Sequence, residues 1–169
     1  MKNFLAIVII SLCFIIPSKA DDISDFEIEG MSIGDSLLNY FSEEEIKNNI
    51  MGDYYENNEY TAIEFPNKSF KNYDNVSVDL ISLDKKYIIQ TVTGILFYED
   101  IRDCHMKQKK IDKELSIIFQ NTRKETNTRN HSADKTGKSK TKAINYWFKS
   151  GDLATIICTD WSNDLTNKY

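Results

Sequence analysis

The change of hydrophobic period between residues 87 and 119 constrains the fold of this chain more than any other feature. Residues 87–93 are rich in β-branched and aromatic side chains, which favour a half-buried strand. From residue 101 onward the apolar residues recur at helical spacing, with one gap at Gln108. Asp100 stands where its side chain can cap the first turn. The pattern therefore predicts a long strand followed directly by a long amphipathic helix.

The first twenty residues have the pattern of a secretory signal peptide. A short basic start at residues 1–3 precedes an almost wholly apolar stretch at residues 4–16, and a small-x-small cleavage site ends at Ala20. The apolar stretch is shorter than the ~20 residues that a membrane-spanning helix needs. We therefore expect an exported protein, periplasmic or secreted, that is cleaved near Ala20. A retained N-terminal anchor is the alternative.

The remaining residues, 21–169, have the length of a single domain. Two of the three cysteines, Cys104 and Cys158, lie in this part of the chain. An even number of cysteines in an exported chain suggests a disulfide. Two buried free thiols, which pack as small apolar groups, are the alternative. We expect the Cys104–Cys158 disulfide.

The N-terminal part of the domain predicts two short helices followed by strands. Capping-box patterns begin at Ser32 and, in a better form, at Ser42, and each precedes a short run of helically spaced apolar residues. Residues 59–65 and 76–80 then have strand character. A short turn joins the second of these to the strand at residues 87–93, which predicts an antiparallel hairpin.

A second hairpin follows the long helix. Residues 144–148 alternate in hydrophobicity, and a turn leads into the β-rich run of residues 153–161. The alternation places Cys158 on the side that would face the helix carrying Cys104. The element order α-α-β-β-β-α-β-β predicts an α+β fold, with helices packed on one face of an antiparallel sheet.

Charge is distributed unevenly along the chain. Residues 21–64 contain 13 acidic residues against Lys47 alone, whereas residues 120–142 contain seven basic and two acidic residues. Such opposite patches either steer a partner or pair with each other. Residues 120–142 contain no apolar side chain larger than alanine, so we expect a mobile basic loop there. Its Lys135, Lys138 and Lys140 are candidates for partner binding, and weak contact with a membrane surface is an alternative role.

No pattern in the sequence predicts catalysis or cofactor binding. Residues 132–139 approach a phosphate-binding loop, but Ser132 stands where that pattern requires glycine. Cys104 and His105 point about 100° apart on a helix, so the imidazole is badly placed to deprotonate the thiol. His105 and His131 do not form a metal-ligand spacing. The basic segment also lacks the interleaved aromatic residues of single-stranded nucleic acid binding.

Aromatic residues suggest a recognition surface. Trp147 and Trp161 share the parity opposite to the predicted core face, which would leave both exposed or covered by another element. We therefore take them as candidate partner-binding residues. Ordinary packing on a second sheet face is the alternative.

Three stretches, residues 30–38, 76–98 and 134–139, together resemble a group of uncharacterised small secreted proteins of AT-rich marine bacteria. The resemblance spans most of residues 21–169 and implies no activity or site. More loosely, Gly30-Met31 followed by two short helices and a strand meander is similar to small outer-membrane lipoproteins that assist barrel assembly and to the β-lactamase-inhibitor-like fold. The chain lacks the lipidated N-terminal cysteine of those lipoproteins and adds a long helix. Shared architecture does not carry function.

The sequence thus favours an exported, disulfide-linked, non-enzymatic protein that binds another envelope protein. One alternative is a carrier of a small molecule or lipid, which needs an apolar cavity between helices and sheet. Another is a small hydrolase or thiol enzyme built from carboxylates and Cys104. An oxidised Cys104 would exclude the thiol enzyme, because the free thiolate is the nucleophile.

Overall fold

The computed structural model of the chain describes residues 23–52, 54–55, 57–66 and 70–162. The predicted signal peptide and most of the polar tail lie outside the described residues. Within them, six strands form two three-stranded antiparallel sheets, separated in sequence by one helix of 18 residues. The predicted packing of several helices on one face of a single sheet, in the order α-α-β-β-β-α-β-β, is therefore wrong, although helices and strands are both present.

The first sheet contains β1 (Tyr60–Pro66), β2 (Asn75–Ile81) and β3 (Ile89–Ile95), in that order. Alternation along β2 buries Val78 and its same-face neighbours, and leaves Asp79 half-buried on the other face. The predicted antiparallel pairing of β2 with β3 is confirmed.

The chain before the first sheet is mostly irregular. One short helix, α1 (Glu43–Asn48), begins after Ser42, whose hydroxyl accepts a hydrogen bond from the Glu45 N–H at 3.3 Å. The Glu45 carboxylate in turn accepts one from the Ser42 N–H at 2.9 Å, so this capping box is confirmed. The helix predicted after Ser32 is wrong, because the only helical structure there is a 3-10 turn at Leu37–Asn39.

Tertiary pairing explains the missing helix. The Gly34 N–H donates to the Ile89 carbonyl and the Ile89 N–H donates to the Asp35 carbonyl, both at 2.9 Å. The Leu37 N–H donates to the Tyr87 carbonyl at 2.8 Å. These main-chain groups are the ones that a helix would use, and Gly34 lies at φ +92°, in the left-handed region that ends helices. Pairing with the start of β3 therefore replaces the helix that the local pattern predicts for this segment.

The long helix predicted after the first sheet is confirmed as α2 (Ile101–Ile118). Its cap is Asp100, whose carboxylate accepts a hydrogen bond from the Arg102 N–H at 2.8 Å. Phe119 follows the last turn and is buried. Among the described helices, none is long and apolar enough to cross a membrane.

The second sheet contains β4 (Arg123–Asn130), β5 (Lys140–Trp147) and β6 (Leu153–Asp160), in that order. The predicted hairpin of β5 and β6 is confirmed. The basic loop predicted at residues 120–142 is wrong, because β4 and the start of β5 lie inside it. All eight residues of β4 are exposed, so no apolar pattern marks this strand. It forms because its backbone pairs with β5 along its whole length.

Each sheet has its own cluster of buried apolar side chains. The cluster of the first sheet consists of Met31, Leu37, Ile46, Ile63, Phe65, Val76, Val78, Leu80 and Ile89. The cluster of the second sheet consists of Ile23, Leu115, Phe119, Ile144, Tyr146 and Phe148. The N-terminal segment contributes to both clusters, through Met31 to the first and Ile23 to the second.

Candidate binding surface on the second sheet

A disulfide fixes the start of α2 to the second sheet. Cys104 and Cys158 are joined at an S–S distance of 2.09 Å, with their Cα atoms 6.0 Å apart, so the predicted cysteine pair is confirmed. The bond uses the sulfur that a thiol enzyme would need as its nucleophile, which excludes the thiol-enzyme alternative in this oxidised state. No group of three or more His, Cys, Asp or Glu side chains that could hold a metal ion occurs among the described residues.

Gln108 explains the gap in the apolar stripe of α2. Its side chain is only 1% exposed, and its Nε2 donates to the Lys142 carbonyl at 3.0 Å and to the Ile156 carbonyl at 2.9 Å. One carbonyl belongs to β5 and the other to β6. The Gln108 side chain therefore reaches the junction of these two strands, while α2 itself packs on β6.

The C-terminal half of α2 is held by a polar group around Tyr146. The Tyr146 hydroxyl donates to Asp112 Oδ1 at 2.5 Å and lies 2.9 Å from the Ser116 hydroxyl. Lys124 of β4 pairs with the same Asp112 carboxylate at 2.5 Å. Burial alone would raise the pKa of Asp112, but the hydrogen bonds from Lys124 and Tyr146 outweigh it, so the pKa is lowered. Asp112 is therefore a structural anion that ties α2 to β4 and β5.

The space between α2 and the second sheet is filled by side chains. Phe119 packs edge-on against Tyr146 and Phe148, with ring centroids 5.6 and 4.9 Å away, and Leu115 and Ile144 are buried beside them. A carrier would need its cavity at this place. The packing gives no support to the carrier alternative.

The other face of the second sheet is the candidate binding surface, which we call the outer face. Strand register places every second residue of each strand on it. Its residues are Arg123, Glu125, Asn127 and Arg129 of β4, Thr141, Ala143, Asn145 and Trp147 of β5, and Leu153, Thr155, Ile157 and Thr159 of β6. The opposite face packs against α2 and the N-terminal Ile23.

Trp147 lies at one end of the outer face. Its indole Nε1 donates to Glu125 Oε2 at 3.2 Å, and the Arg123 guanidinium lies 5.6 Å from the ring centroid. Arg123 also pairs with the Glu125 carboxylate. Stacking and ion pairing hold the three side chains in one arrangement. The prediction that this tryptophan lies away from the core is consistent with its half-buried position under Arg123.

Trp161 lies at the other end, one residue beyond β6 and in the same parity as the outer face. Trp161 is 42% exposed, and its ring contacts His131 with centroids 4.3 Å apart. Trp147 pairs with Leu153, which lies six residues before Thr159 in β6. The two tryptophans are therefore separated by more than about 20 Å along the sheet. Between them Leu153 and Ile157 are 39% and 48% exposed.

The predicted lysines divide between two environments. Lys135 and Lys138 are exposed on the turn that joins β4 to β5. Lys140 belongs to β5, and its Nζ donates to Asn130 Oδ1 at 2.5 Å and to the Gly137 carbonyl at 3.2 Å. Lys140 therefore closes the turn rather than facing a partner with the other two.

Asp134 organises the same turn. Its Oδ1 accepts hydrogen bonds from the Thr136 N–H at 2.8 Å and hydroxyl at 2.7 Å, and its Oδ2 accepts two from Ser139 at 2.7 Å. The hydrogen bonds from Ser139 and Thr136 hold the pKa of Asp134 well below its usual value. The N–H groups that a phosphate would need thus already bind a carboxylate of the chain itself.

The first sheet offers a second, weaker candidate. A broad, open depression is lined by Pro66, Asp74, Asn75, Phe97, Tyr98 and Glu99. Phe97 is 67% exposed, and its N–H donates to Asp74 Oδ2 at 2.8 Å. Small-molecule sites are normally enclosed and bring several polar groups together. This depression does neither.

The half-buried Asp79 is the carboxylate most suited to acid–base chemistry in the first sheet. Burial raises the pKa of Asp79 above its usual value, because the opposing hydrogen bonds from Tyr55 and Thr91 have a smaller effect. Burial and the neighbouring Asp79 raise the pKa of Tyr55 to about 12. No histidine or cysteine of the described residues lies in this sheet.

Sequence reasoning found the two tryptophans but missed the side chains that position them. The alternation of arginine and glutamate with threonine in β4 was the available signal, since threonine favours strands. Comparison of the chain with known protein families, characterised proteins and solved structures finds no match. The resemblance to secreted bacterial proteins and lipoproteins therefore stays a prediction.

Proposed function

We propose that this chain is an exported, non-enzymatic binding protein that engages another envelope protein through the outer face of its second sheet. One observation supports the proposal above the others. The outer face brings two tryptophans, two exposed aliphatic side chains and two arginines to one surface, around the buried β5 residues Thr141, Ala143 and Asn145.

The composition of the outer face is that of a protein interface. Tryptophan and arginine are enriched among the residues that dominate binding energy, and they act best when a rigid frame holds them. The exposed Asn127 and Thr155 side chains between them can exchange hydrogen bonds with a partner. Asn145 is buried, and its Oδ1 accepts a hydrogen bond from the Thr155 hydroxyl at 2.8 Å. The flat shape of a three-stranded sheet suits a protein surface better than a small molecule.

The disulfide supports both rigidity and export. It holds α2 on the opposite face, so the sheet does not have to order itself on binding, which reduces the entropic cost of association. Disulfides also persist in oxidising compartments such as the periplasm. Export predicts that the protein recovered from cells has the mass of residues 21–169 less two hydrogen atoms for the bond. A full-length mass with free thiols would contradict export.

Photocrosslinking tests the binding surface directly. Asn127 and Thr126 are adjacent, exposed residues of β4. The Asn127 side chain points to the outer face, and the Thr126 side chain points to the opposite face, on which α2 packs. A photoreactive amino acid at position 127 should give a discrete adduct with one envelope protein in the producing cells. The same group at position 126 is the matched control and should not give that adduct.

The adduct then identifies the partner for a binding measurement with purified proteins. Trp161→Ala removes an exposed aromatic side chain and should weaken binding about tenfold or more. Equal adducts from positions 126 and 127 would contradict the proposal. So would a partner that binds the Trp161→Ala variant as tightly as the native protein.

A further inference from the structure

Charge divides the chain at the start of α2. Residues 21–100 contain 18 acidic and five basic residues, whereas residues 101–169 contain 14 basic and eight acidic residues. Five of the basic residues lie on α2 itself. A surface with one sign of charge attracts partners of the opposite sign and raises their rate of association. An otherwise acidic protein therefore carries a basic helix on its surface.

The face of α2 that points away from the second sheet follows from the helical geometry. Leu115 is buried and marks the inward direction. At about 100° per residue, Met106, Lys113 and Ile117 lie within about 20° of the opposite direction. Lys109 and Lys110 stand on either side of this line, about 60° and 40° from it. All five are exposed, and together they form what we call the α2 stripe.

The three lysines of the α2 stripe are available to an external anion. None of them forms a salt bridge with a described residue. Arg102, one turn earlier, differs because its guanidinium is bound to the Asp100 carboxylate. The lysines lie within about 6 Å of helix length, so their charges act on the same part of a partner.

The acidic residues of α2 leave the stripe positive. Asp112 points to one flank, where Lys124 and Tyr146 bind its carboxylate. Asp103 and Glu114 lie on the other flank, about 60° and 80° from the centre of the stripe. Acidic residues therefore lie beside the lysines but not among them.

Two apolar side chains stand at the ends of the α2 stripe. Met106 is 63% exposed and Ile117 is 60% exposed, whereas Leu115 on the inward side is 7% exposed. They are 11 residues apart, which is about 16 Å along the helix, and the three lysines lie between them. A single flat surface can thus contact both apolar side chains and all three lysines at once.

We infer that α2 lies flat on an anionic lipid surface, with its lysines at the phosphate headgroups and with Met106 and Ile117 inserted between the lipids. A helix in the plane of a bilayer holds a line of side chains at one depth, and basic residues beside apolar ones are typical of such helices. Each lysine close to an anionic bilayer strengthens binding about fivefold.

The composition of the α2 stripe favours lipid over an acidic protein. Protein interfaces are depleted in lysine and enriched in arginine and aromatic residues, and the stripe contains neither arginine nor an aromatic residue. Lysine is a point charge on a flexible stem, so it does not fix the geometry of its partner. Fluid headgroups do not require a fixed geometry. The outer face, with its tryptophans and arginines, has the contrasting composition.

The α2 stripe and the outer face lie on opposite sides of the second sheet. The helix packs on the face opposite to the outer face, where the disulfide and Gln108 hold it. A protein bound to lipid through α2 would therefore present its outer face away from the bilayer. Lipid binding does not depend on what the outer face binds, and the two are measured separately.

Cosedimentation of the oxidised protein from an exporting host with lipid vesicles tests the inference. In 0.1 M salt, half of the protein should bind to vesicles of equal parts phosphatidylglycerol and phosphatidylcholine at about 1 mM lipid. It should not bind to vesicles of phosphatidylcholine alone. Salt at 1 M should release it, because the Debye length falls to about 3 Å.

Substitution of lysines locates the contact. Lys109→Gln with Lys113→Gln should weaken binding to the phosphatidylglycerol vesicles about 25-fold, at about fivefold for each lysine. The matched control is Lys85→Gln with Lys86→Gln, which removes the same charge from exposed positions of the first region. Its binding should stay within about twofold of the native value, because these lysines lie outside the stripe. Circular dichroism should be unchanged in both variants.

A fluorophore reports insertion into the bilayer. Met106→Cys labelled with an environment-sensitive fluorophore should shift its emission to shorter wavelength when phosphatidylglycerol vesicles are added. Leu83→Cys carries the same label on the turn between β2 and β3, where Leu83 is 97% exposed. This control should show no shift.

Four results would overturn the inference. The first is equal binding to vesicles with and without phosphatidylglycerol, and the second is an equal loss of binding in the two lysine variants. The third is a fluorophore at position 106 that stays unshifted on vesicle-bound protein. The fourth is displacement of the protein from the vesicles by polyglutamate at equal concentration of charge, which would assign the α2 stripe to an acidic polypeptide instead.

Discussion

The two sheets of this protein have the same strand number and the same simple order, but they are completed in different ways. The N-terminal segment packs on the first sheet and contributes several side chains to its buried cluster. Its main-chain hydrogen bonds also cover parts of both edges of this sheet. The second sheet is covered on one face by α2, which is attached by the disulfide and by Gln108. On its outer face the β4 and β6 side chains are mostly exposed, whereas Thr141, Ala143 and Asn145 of β5 are buried.

The difference shows two ways of stabilising a small sheet. Irregular chain can cover a sheet when its main-chain groups are satisfied by strand edges, because unpaired buried amides are costly. A helix satisfies its own main chain and leaves the edges of the sheet available. The first sheet is therefore partly covered by irregular chain, and the second sheet is covered on one face by a helix.

Removal of the disulfide should cause the largest difference in stability between the two regions. Its removal by Cys104→Ala with Cys158→Ala should lower the free energy of unfolding of the second sheet by about 4 kcal/mol, because the bond closes a loop of 54 residues. Both tryptophans of the chain lie in or beside the second sheet, so their fluorescence during urea unfolding reports this region. Hydrogen exchange of β2 amides reports the first sheet and should be unchanged. An equal loss of protection in β2 would show that the regions unfold as one unit.

Leu37→Ala should weaken the first region by about 3 kcal/mol, because it leaves a cavity where an irregular segment fills the core. Leu37 is 0% exposed, whereas the adjacent Leu38 is 44% exposed, so Leu38→Ala is the matched control. Hydrogen exchange of β2 and β3 measures the loss. A similar effect of both substitutions would mean that the segment is not a specific cover.

Gln108→Ala should destabilise the second region by about 2 kcal/mol, since it removes two hydrogen bonds and a fully buried side chain. Lys109→Ala, at the exposed neighbouring position, is the control for helix propensity. Urea unfolding followed by tryptophan fluorescence gives both values. If Gln108→Ala is neutral, the disulfide alone positions α2.

Lowering the pH should change the stability of the two regions in opposite directions. This is the smallest of the four predicted effects. The pKa of Asp134 is lowered in the folded chain, so its contribution is present above the unfolded pKa of 3.8 and is lost as the pH falls below it. The pKa of Asp79 is raised by burial, so protonation relieves a cost and stability increases as the pH falls.

The variants Asp134→Asn and Asp79→Asn separate these two effects. At pH 7 Asp134→Asn should destabilise the second region, while Asp79→Asn should stabilise the first. The Asp134→Asn difference should shrink as the pH falls below 3.8, whereas the Asp79→Asn difference should shrink at higher pH, as the pH falls through the raised pKa of Asp79. Urea midpoints measured between pH 7 and acid, by fluorescence and by hydrogen exchange, test this. A destabilisation by Asp79→Asn at pH 7 would show that the hydrogen bonds of this carboxylate outweigh its burial.

Local patterns were enough for the elements that depend on neighbouring residues. The strand-to-helix change around Asp100, the capping box at Ser42 and both hairpins follow from periods and turn residues close in sequence. The Cys104–Cys158 pair follows from cysteine number and strand parity. These features need no knowledge of the rest of the fold.

The candidate surface was predicted in part. Parity correctly placed Trp147 and Trp161 away from the buried face of the second sheet. The sequence could not show that β4 extends this face, because a strand exposed on every residue has no apolar alternation. The sequence indicates Lys140 as a binding residue, whereas in the structure its ammonium closes a turn.

The sequence by itself thus determined the secondary elements with strong local periods, the cysteine pair and the sides of β2, β5 and β6 that face the buried clusters. The tertiary structure decided that the hairpins belong to two sheets, that residues 34–37 pair with β3 instead of forming a helix, and that β4 exists. The physical reason is that strand pairing is made by main-chain groups. Those groups are the same in every residue, so which edges meet is set by the packing of distant parts of the chain.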